Sequence, residues 1–193
     1  YNRTPREAIK NGFAFLTEER RATGIFGILN ICENTTVSKL RKYLKGGALT
    51  APLPPALVSV GDGEEYNLIT IGWTGILATV PPTTYISVRP SRHSYNIIKE
   101  SGEFVINLTP ASLIRAADYC GMYTGAKKDK FRECSLTAEE CEHVDCVAIA
   151  ECPLSLECKV CDVISLGTHD MFLADIVGVM VEESLIDKNG KLH

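Results

Sequence analysis

From Ala56 onward, apolar residues occur in short runs, and turn residues separate one run from the next. Each run has the length of a strand, and the breaks carry glycine, proline, asparagine or aspartate, which is typical of an antiparallel barrel or sandwich. The predicted strands are residues 57–60, 66–71, 85–88, 103–108, 147–150, 154–166 and 171–181. The pattern therefore predicts a mainly β fold with peripheral helices.

Helices are predicted between several of these strands. Ser94 stands where an N-cap belongs and Gly102 where a helix stops, with an apolar face between them. Residues 112–120 are apolar on one face and also predict a helix, followed by a long loop over residues 121–131 that is rich in glycine and lysine. Residues 137–140 repeat a capping-box pattern and predict a brief helical turn.

The first 37 residues carry a different pattern. Thr4 and the proline after it are typical of a helix start, and residues 25–32 are apolar enough for a strand. We therefore treat residues 1–37 as a separate segment and residues 38–193 as one domain.

The loop between the strand at 85–88 and the helix after Ser94 is a candidate anion site. Arg89 and Arg92 supply positive charge, Ser91 and Ser94 supply hydroxyl donors, and the start of the helix presents unpaired N–H groups. A phosphate would be held by such a set. The alternative is a solvated surface turn.

The single tryptophan, Trp73, lies among the polar residues Asn67, Thr70 and Thr74 near the end of a predicted strand. An indole beside hydrogen-bond donors suits a flat ring with polar edges. The alternative is that Trp73 belongs to the core.

Two further segments carry candidate chemistry. Residues 124–131 form a cationic loop, which either contacts an anion or is simply solvated. His169 lies at the junction of two predicted strands, where it would be held rigidly near a barrel rim and could position a proton or hydride donor. A lone histidine is, however, more often structural.

Composition and charge narrow the classes of function. The chain has 193 residues, enough for one domain with a full core, and its 45% hydrophobic content fits a soluble protein. The net charge of −4 argues against general nucleic-acid binding, because the phosphate backbone requires a basic surface. No apolar run approaches the roughly 20 residues of a membrane helix, and we find no signal peptide, so we expect no membrane partner and a cytoplasmic location. The chain starts with tyrosine and stops just after a hairpin turn, so we expect both ends to be trimmed.

Eight cysteines admit disulfides, a metal or cluster site, or free thiols, and six of the eight lie between Cys134 and Cys161. Cys158 and Cys161 form the one C-x-x-C pair, but they fall in a predicted strand that sends the two thiols to opposite faces. A zinc site usually needs a second close pair. The sequence favours free structural thiols, one of this pair buried and the other exposed, and no metal.

In their order and spacing, these segments resemble the flavin reductase-like family of FMN-binding split barrels, and most closely its flavoredoxin branch. The resemblance covers roughly residues 40–187. It rests on Asn67-x-x-Thr70-x-x-Trp73, the run from Ser87 to Ile98, Val105-Ile106-Asn107, the run from Ala117 to Gly121, Thr124-Gly125 with Asp129-Lys130-Phe131, and Gly167-x-His169-x-x-Phe172.

The resemblance implies a split β-barrel that binds FMN non-covalently, commonly as a homodimer. His169 would lie close to the flavin, where it would orient the nicotinamide or tune the ring. The other matched positions would be a phosphate loop of Arg89, Ser91, Arg92 and Ser94, ring and ribityl contacts from Thr70, Trp73 and Thr74, a supporting Asn107, and a second clamp of Lys130 and Phe131.

The resemblance implies an oxidoreductase that accepts hydride from NADH or NADPH and passes electrons to free flavin, ferric complexes or a redox protein. A flavin electron carrier without NAD(P)H turnover and a metal or cluster protein are the alternatives. Two departures stand out. The family usually continues past the hairpin at 187–190 into an aromatic tail that covers the flavin, whereas this chain ends at His193, and residues 1–37 match no family segment.

Overall fold

The computed structural model describes residues 45–48, 53–63 and 66–192, and it divides the chain into two units, residues 1–49 and 50–193. All the elements given below belong to the second unit. The predicted N-terminal helix and strand lie outside the described residues. The boundary after residue 37 stays a prediction.

Nine strands and three α-helices occur in the described part of the chain. The strands are β1 (Ala56–Val60), β2 (Asn67–Ile71), β3 (Thr74–Thr79), β4 (Pro82–Val88), β5 (Glu103–Leu108), β6 (Ala138–Glu140), β7 (Val147–Ile149), β8 (Leu154–Ser165) and β9 (Asp170–Val181). The helices are α1 (His93–Ser101), α2 (Ile114–Met122) and α3 (Lys130–Glu133), with 3-10 turns at Ala111–Leu113 and Glu183–Leu185. The predicted mainly β fold with peripheral helices is confirmed.

Seven strands form one antiparallel sheet in the order β2-β1-β5-β8-β9-β4-β3, and β6 pairs with β7 in a separate ribbon. Strands β2 and β3 stand at opposite ends of this order, yet only Gly72 and Trp73 link them. Such a linker spans at most about 10 Å, so the sheet must curl until its two ends meet. A hydrogen bond of 2.9 Å from Ser87 N–H to the Trp73 carbonyl extends the β3–β4 pairing into this linker.

Apolar side chains fill both sides of β1, which is buried along its whole length. Val58 and Val60 face the inside of the curled sheet, in a cluster with Phe104 and Phe172. Leu57 faces outward into a second cluster formed with α2, α3 and β7. This two-sided burial explains why β1 does not alternate and is apolar at every position except Ser59. Ser59 is buried as well, and its Oγ accepts a hydrogen bond from Asn107 Nδ2.

The helix at residues 112–120 is confirmed with shifted bounds, and the end predicted at Gly102 is also confirmed. Gly102 adopts φ 70°, and its N–H donates to the Ile98 carbonyl at 2.9 Å. The N-cap predicted at Ser94 is wrong, because Arg92 occupies that position with extended backbone and makes no side-chain cap bond. Ser94 lies inside α1 and accepts a 2.8 Å hydrogen bond from Asn67 Nδ2.

The helical turn predicted at residues 137–140 is wrong, because Ala138–Glu140 forms β6. Pairing with β7 supplies backbone partners, and the Thr137 N–H is satisfied by the Glu151 carboxylate at 3.0 Å instead of by a capping box. The pattern also misses β3, an edge strand whose side chains are mostly exposed, Ile76 by 79%. Burial on one face is what imposes strict alternation, and β3 lacks it.

The cysteines follow the predicted placement where the structure describes them. Cys158 is buried and Cys161 is exposed, so the predicted opposite facing is confirmed. Seven cysteines lie in the described residues, and none of these forms a disulfide. Within the same residues, no helix is long and apolar enough to cross a membrane.

Candidate functional site

Two neighbouring cavities lie where the ends of the sheet meet the start of α1. We call the first, of about 140 Å³, the Trp73 cavity; its walls include Thr70, Gly72, Trp73, Arg89, Arg92 and His169. The second, of about 70 Å³, is the Lys130 cavity, with Asn67, Ser91, Arg92, Ser94, Thr124 and Lys130 among its walls. Ile69 and Arg92 line both cavities, so the two are adjacent.

Trp73 is 43% exposed and therefore is not a core residue. Its indole lies on the His169 ring with centroids 4.3 Å apart and ring planes inclined by 41°. The short linker between β2 and β3 places Trp73, and the turn before β9 places His169. The two side chains offer a polarisable aromatic surface at the cavity mouth.

The protonation of His169 follows from its contacts. Arg89 Nε lies 3.2 Å from His169 Nε2, and because arginine only donates, Nε2 must accept. The proton then sits on Nδ1, which donates to Thr168 Oγ1 at 3.0 Å. Burial and the nearby Arg89 charge both lower the pKa of His169, so the neutral imidazole is favoured. In this arrangement Arg89 fixes both the tautomer and the ring orientation.

The Lys130 cavity combines a buried cation with hydroxyls and a helix start. Lys130 Nζ donates to the carbonyls of Leu68 and Cys120, which leaves one of its three N–H groups for the cavity. Burial lowers the pKa of Lys130, the nearby Arg92 charge adds to this, and so an anion in the cavity would favour the charged amine. Arg92 occupies the N-cap position of α1 and lines this cavity. The N–H groups in the first turn of a helix lack intrahelical partners and favour an anion.

Two contacts that the sequence did not reveal position the site. Tyr95 in α1 donates a 2.6 Å hydrogen bond to Asp170 Oδ2, next in the chain to His169, and so joins α1 to the start of β9. Gly125 lies against Asn67 so closely that a Cβ would overlap the asparagine side chain. A residue without a side chain is therefore required for the loop to pack over the Lys130 cavity.

Most predicted site residues are brought together here: Thr70, Trp73, Arg89, Ser91, Arg92, Ser94, Lys130 and His169 line one cavity or both. Thr74, Asn107 and Phe131 do not line either cavity. Thr74 Oγ1 donates to the Tyr85 carbonyl at 2.7 Å within the sheet.

Asn107 is buried in β5, where Nδ2 donates to Leu57 O at 3.0 Å and Oδ1 accepts from Ile149 N at 3.0 Å. Phe131 is 3% exposed and packs edge-on against Tyr66 in the second cluster. Asn107 therefore stabilises the sheet, and Phe131 packs α3 against the second cluster. Their predicted contact with a cofactor stays a prediction.

A curled antiparallel sheet with an aromatic cavity beside a cationic one defines a class of protein suited to a flat ring that carries an anionic group. Residues 49–193 match the family described as "Flavin reductase like domain". The chain belongs to this family, and it is a flavin-related redox protein with the split-barrel fold.

Known relatives are consistent with that assignment. The structure of flavoredoxin from Desulfovibrio vulgaris (Miyazaki F) is similar with a TM-score of 0.73 and 33% identity, over 80% of this chain and 83% of that one. An uncharacterised protein of Archaeoglobus fulgidus is 32% identical over 72% of this chain and 77% of its own length. A 42-residue stretch is also 55% identical to the galactose/methyl galactoside import ATP-binding protein MglA of Fusobacterium nucleatum, over 22% of this chain and 8% of that protein. That match is too short to carry a functional argument.

Proposed function

We propose that the protein binds FMN across the two cavities and transfers electrons from NADH or NADPH to a small acceptor or a redox partner. The observation that carries this proposal is the shared wall at Arg92, which joins an aromatic cavity to a cationic one. Trp73 and His169 would contact the ring, while Arg92, Ser91, Ser94 and Lys130 would hold the phosphate. These residues fit a phosphorylated flavin, since the donors and cations match the phosphate and the rings match the isoalloxazine.

Bound flavin would supply the hydride-accepting chemistry, and the protein would supply orientation and electrostatics. Arg89 holds His169 in one orientation with its proton on Nδ1. A neutral imidazole in contact with Trp73 therefore offers a fixed polar edge beside the ring, without the desolvation cost of a buried charge. Arg89 and His169 are thus assigned to positioning, and His169 is the residue that would face the nicotinamide.

The proposal is tested by titrating the purified protein with FMN and recording the visible spectrum. We expect a bound flavin spectrum and oxidation of NADH or NADPH when an electron acceptor is present. A protein that is colourless once FMN has been added and the unbound FMN removed would refute FMN binding.

A flavin electron carrier without NAD(P)H turnover is the second candidate, and the 33% identity to a flavoredoxin favours it. Stopped-flow mixing of the FMN-loaded protein with NADH and with NADPH distinguishes the two. Rapid bleaching of the flavin by either nucleotide excludes the passive carrier. Bleaching by dithionite alone would instead exclude the reductase.

We also propose that the protein forms a homodimer. Apolar side chains are exposed on and just after β3, where Ile76 is 79% and Val80 is 91% exposed, and near the end of β8, where Val163 and Ile164 are exposed. A second copy would cover such a surface. Light scattering coupled to size-exclusion chromatography should give twice the mass of one chain, and a monomer at micromolar concentration would refute the dimer. The cytoplasmic location stays an expectation.

A further inference from the structure

Tyr123 presents an aromatic ring to solvent at the edge of the Lys130 cavity. It follows α2 directly, is 47% exposed, and is one of the residues that line this cavity. Its N–H donates to the Tyr119 carbonyl at 3.0 Å, which fixes its backbone at the end of the helix. An exposed ring beside a cavity offers a ligand a flat surface on which to stack.

Tyr119 supports this ring from one side. The centroids of the two rings are 4.4 Å apart and their planes are inclined by 32°, since residues four apart lie on one face of a helix. The Tyr119 hydroxyl donates to Glu133 Oε2 at 3.1 Å, and Lys128 Nζ donates to Glu133 Oε1 at 2.9 Å. We call Tyr119 and Tyr123 the tyrosine platform. Because Tyr119 covers one face of the Tyr123 ring, the exposed side is left for a ligand.

The charges around the tyrosine platform suit an anionic ligand. Arg92 and Lys130 line the cavity beside it, and Lys127 is exposed in the loop that follows Tyr123. The two carboxylates of this loop and of α3 are engaged, Glu133 by the contacts above and Asp129 as the N-cap of α3. Lysine and arginine side chains bind phosphate oxygens with charge-assisted hydrogen bonds. The segment therefore favours a ligand with more than one phosphate.

Trp73 and Tyr123 are two exposed rings that line different cavities. The Trp73 cavity, of about 140 Å³, is the larger, and the Lys130 cavity, of about 70 Å³, shares Ile69 and Arg92 with it. A ligand with a flat ring at each end and phosphate between them matches this order of ring, cation and ring. FMN has one flat ring and ends at its phosphate, whereas a dinucleotide has two rings.

We propose that the tyrosine platform binds the adenine ring of a dinucleotide whose phosphates lie at the Lys130 cavity. This inference rests on the proposed function, which places the flavin phosphate in that cavity. In FAD the same phosphate continues through a second phosphate to adenosine. Tyr123 is a wall of this cavity, so the continuation meets its ring, and purines stack on aromatic side chains.

The adenosine diphosphate part is common to FAD, NADH and NADPH, so two classes of dinucleotide offer this chemistry. FAD fills both cavities and the tyrosine platform with one molecule. A nicotinamide dinucleotide instead places its adenine on Tyr123 while FMN occupies the cavities. The two sources differ in which ligand loses affinity when Tyr123 is changed.

The first arm of the test compares FMN and FAD on the full chain freed of bound flavin. Isothermal titration calorimetry gives both dissociation constants for the parent protein and for Tyr123→Ala. The parent should bind FAD more tightly than FMN. In Tyr123→Ala the dissociation constant for FAD should rise about tenfold and that for FMN less than about twofold, because the variant removes one base stack.

The second arm uses the FMN-loaded protein and titrates it with NAD⁺ and with NADP⁺, which cannot donate hydride. A loss of affinity for either nucleotide in Tyr123→Ala, with FMN and FAD unaffected, assigns the platform to the nicotinamide dinucleotide. A loss confined to FAD assigns it to the flavin dinucleotide. If the variant binds FAD, NAD⁺ and NADP⁺ like the parent, the proposal is overturned.

Two variants separate stacking from folding. Tyr123→Phe keeps the ring and should bind the dinucleotide like the parent. Met122→Ala changes the preceding residue, which is 71% exposed and contributes no wall to the Lys130 cavity, and it should bind every ligand like the parent.

The outcomes also distinguish this inference from the proposed function. Equal losses for FMN and FAD in Tyr123→Ala would show that Tyr123 contacts the flavin half of the ligand, and would overturn the adenine site alone. A parent protein that binds neither FMN nor FAD would overturn the proposed function and this inference together.

Discussion

Arg92 offers the sharpest test of the proposed phosphate site, because it is the charged side chain that lines both cavities. We consider Arg92→Ala. The change removes a guanidinium from the N-cap of α1, but it costs no capping bond, since the Arg92 side chain makes none. The fold should therefore tolerate it.

The magnitude follows from the chemistry of the contact. A hydrogen bond to a charged group contributes about 1.5–3 kcal/mol, and each 1.4 kcal/mol is tenfold in affinity. Arg92 is exposed, so solvent and salt weaken its field, and we take the lower end of this range. The dissociation constant for FMN should rise about tenfold, while that for riboflavin, which lacks the phosphate, should stay within about twofold.

Flavin fluorescence titrations with FMN and riboflavin measure both constants side by side. Arg115→Ala, on the exposed side of α2, is the matched control and should bind both ligands like the parent. The FMN difference should also shrink at high ionic strength, because the contact is electrostatic. Equal losses for FMN and riboflavin would refute the assignment of Arg92 to the phosphate.

Three further outcomes are expected. Gly125→Ala should lower stability by about 1–3 kcal/mol in urea titrations, because its Cβ overlaps Asn67 and the loop must shift. Tyr95→Phe should lower the melting temperature and let the pKa of Asp170 rise part of the way toward its ordinary value, which NMR titration detects, because the phenol hydrogen bond is the largest of the contacts that lower this pKa. The depressed pKa of His169 should reduce stability as pH falls from its unfolded value near 6.5 through the lower folded value, because only the unfolded chain binds the proton in that interval.

Each of these outcomes has a control. Gly72→Ala meets no atom within 4 Å and should leave the urea midpoint unchanged. His169→Gln should flatten the pH dependence between 7.5 and 5.5, as measured by urea unfolding at each pH, and an unchanged slope would contradict the lowered pKa. If the pKa of Asp170 is the same in Tyr95→Phe as in the parent protein, the proposed role of the phenol is wrong.

Much of the sheet was predictable because one-sided or two-sided burial leaves a direct record in the sequence. The buried strand β1 is apolar at every position except Ser59, and in β8 Cys158 is buried while Cys161 is exposed, as the sequence predicts. The edge strand β3 was missed, since exposed side chains record no period. The brief capping-box pattern at residues 137–140 misled for a related reason, because a long-range bond from Thr137 N–H to Glu151 outweighs a local one.

The residues of the candidate site could largely be predicted from the sequence, but the contacts between them could not. The sequence indicated arginines, serines and a tryptophan as candidate site residues, and the family resemblance assigned them to one site. The sequence did not reveal the contact between Arg89 and His169, which are 80 positions apart, or the one between Tyr95 and Asp170. It also gave no sign that Asn107 bonds within the sheet and that Phe131 faces the core. Such pairings arise from tertiary packing, which local patterns do not encode.

The two-residue join between β2 and β3 has a thermodynamic consequence. The Trp73 cavity takes walls from β2, at one end of the sheet, and from Arg89 and His169, beside β4 and β9. A ligand in the cavity contacts both sides of the join, so it binds the closed sheet better than any form in which the ends separate. By mass action, binding must oppose that separation. The Ser87 amide, whose bond holds the linker residue Trp73 against β4, should therefore exchange its hydrogen more slowly as the cavity fills, and so report occupancy directly.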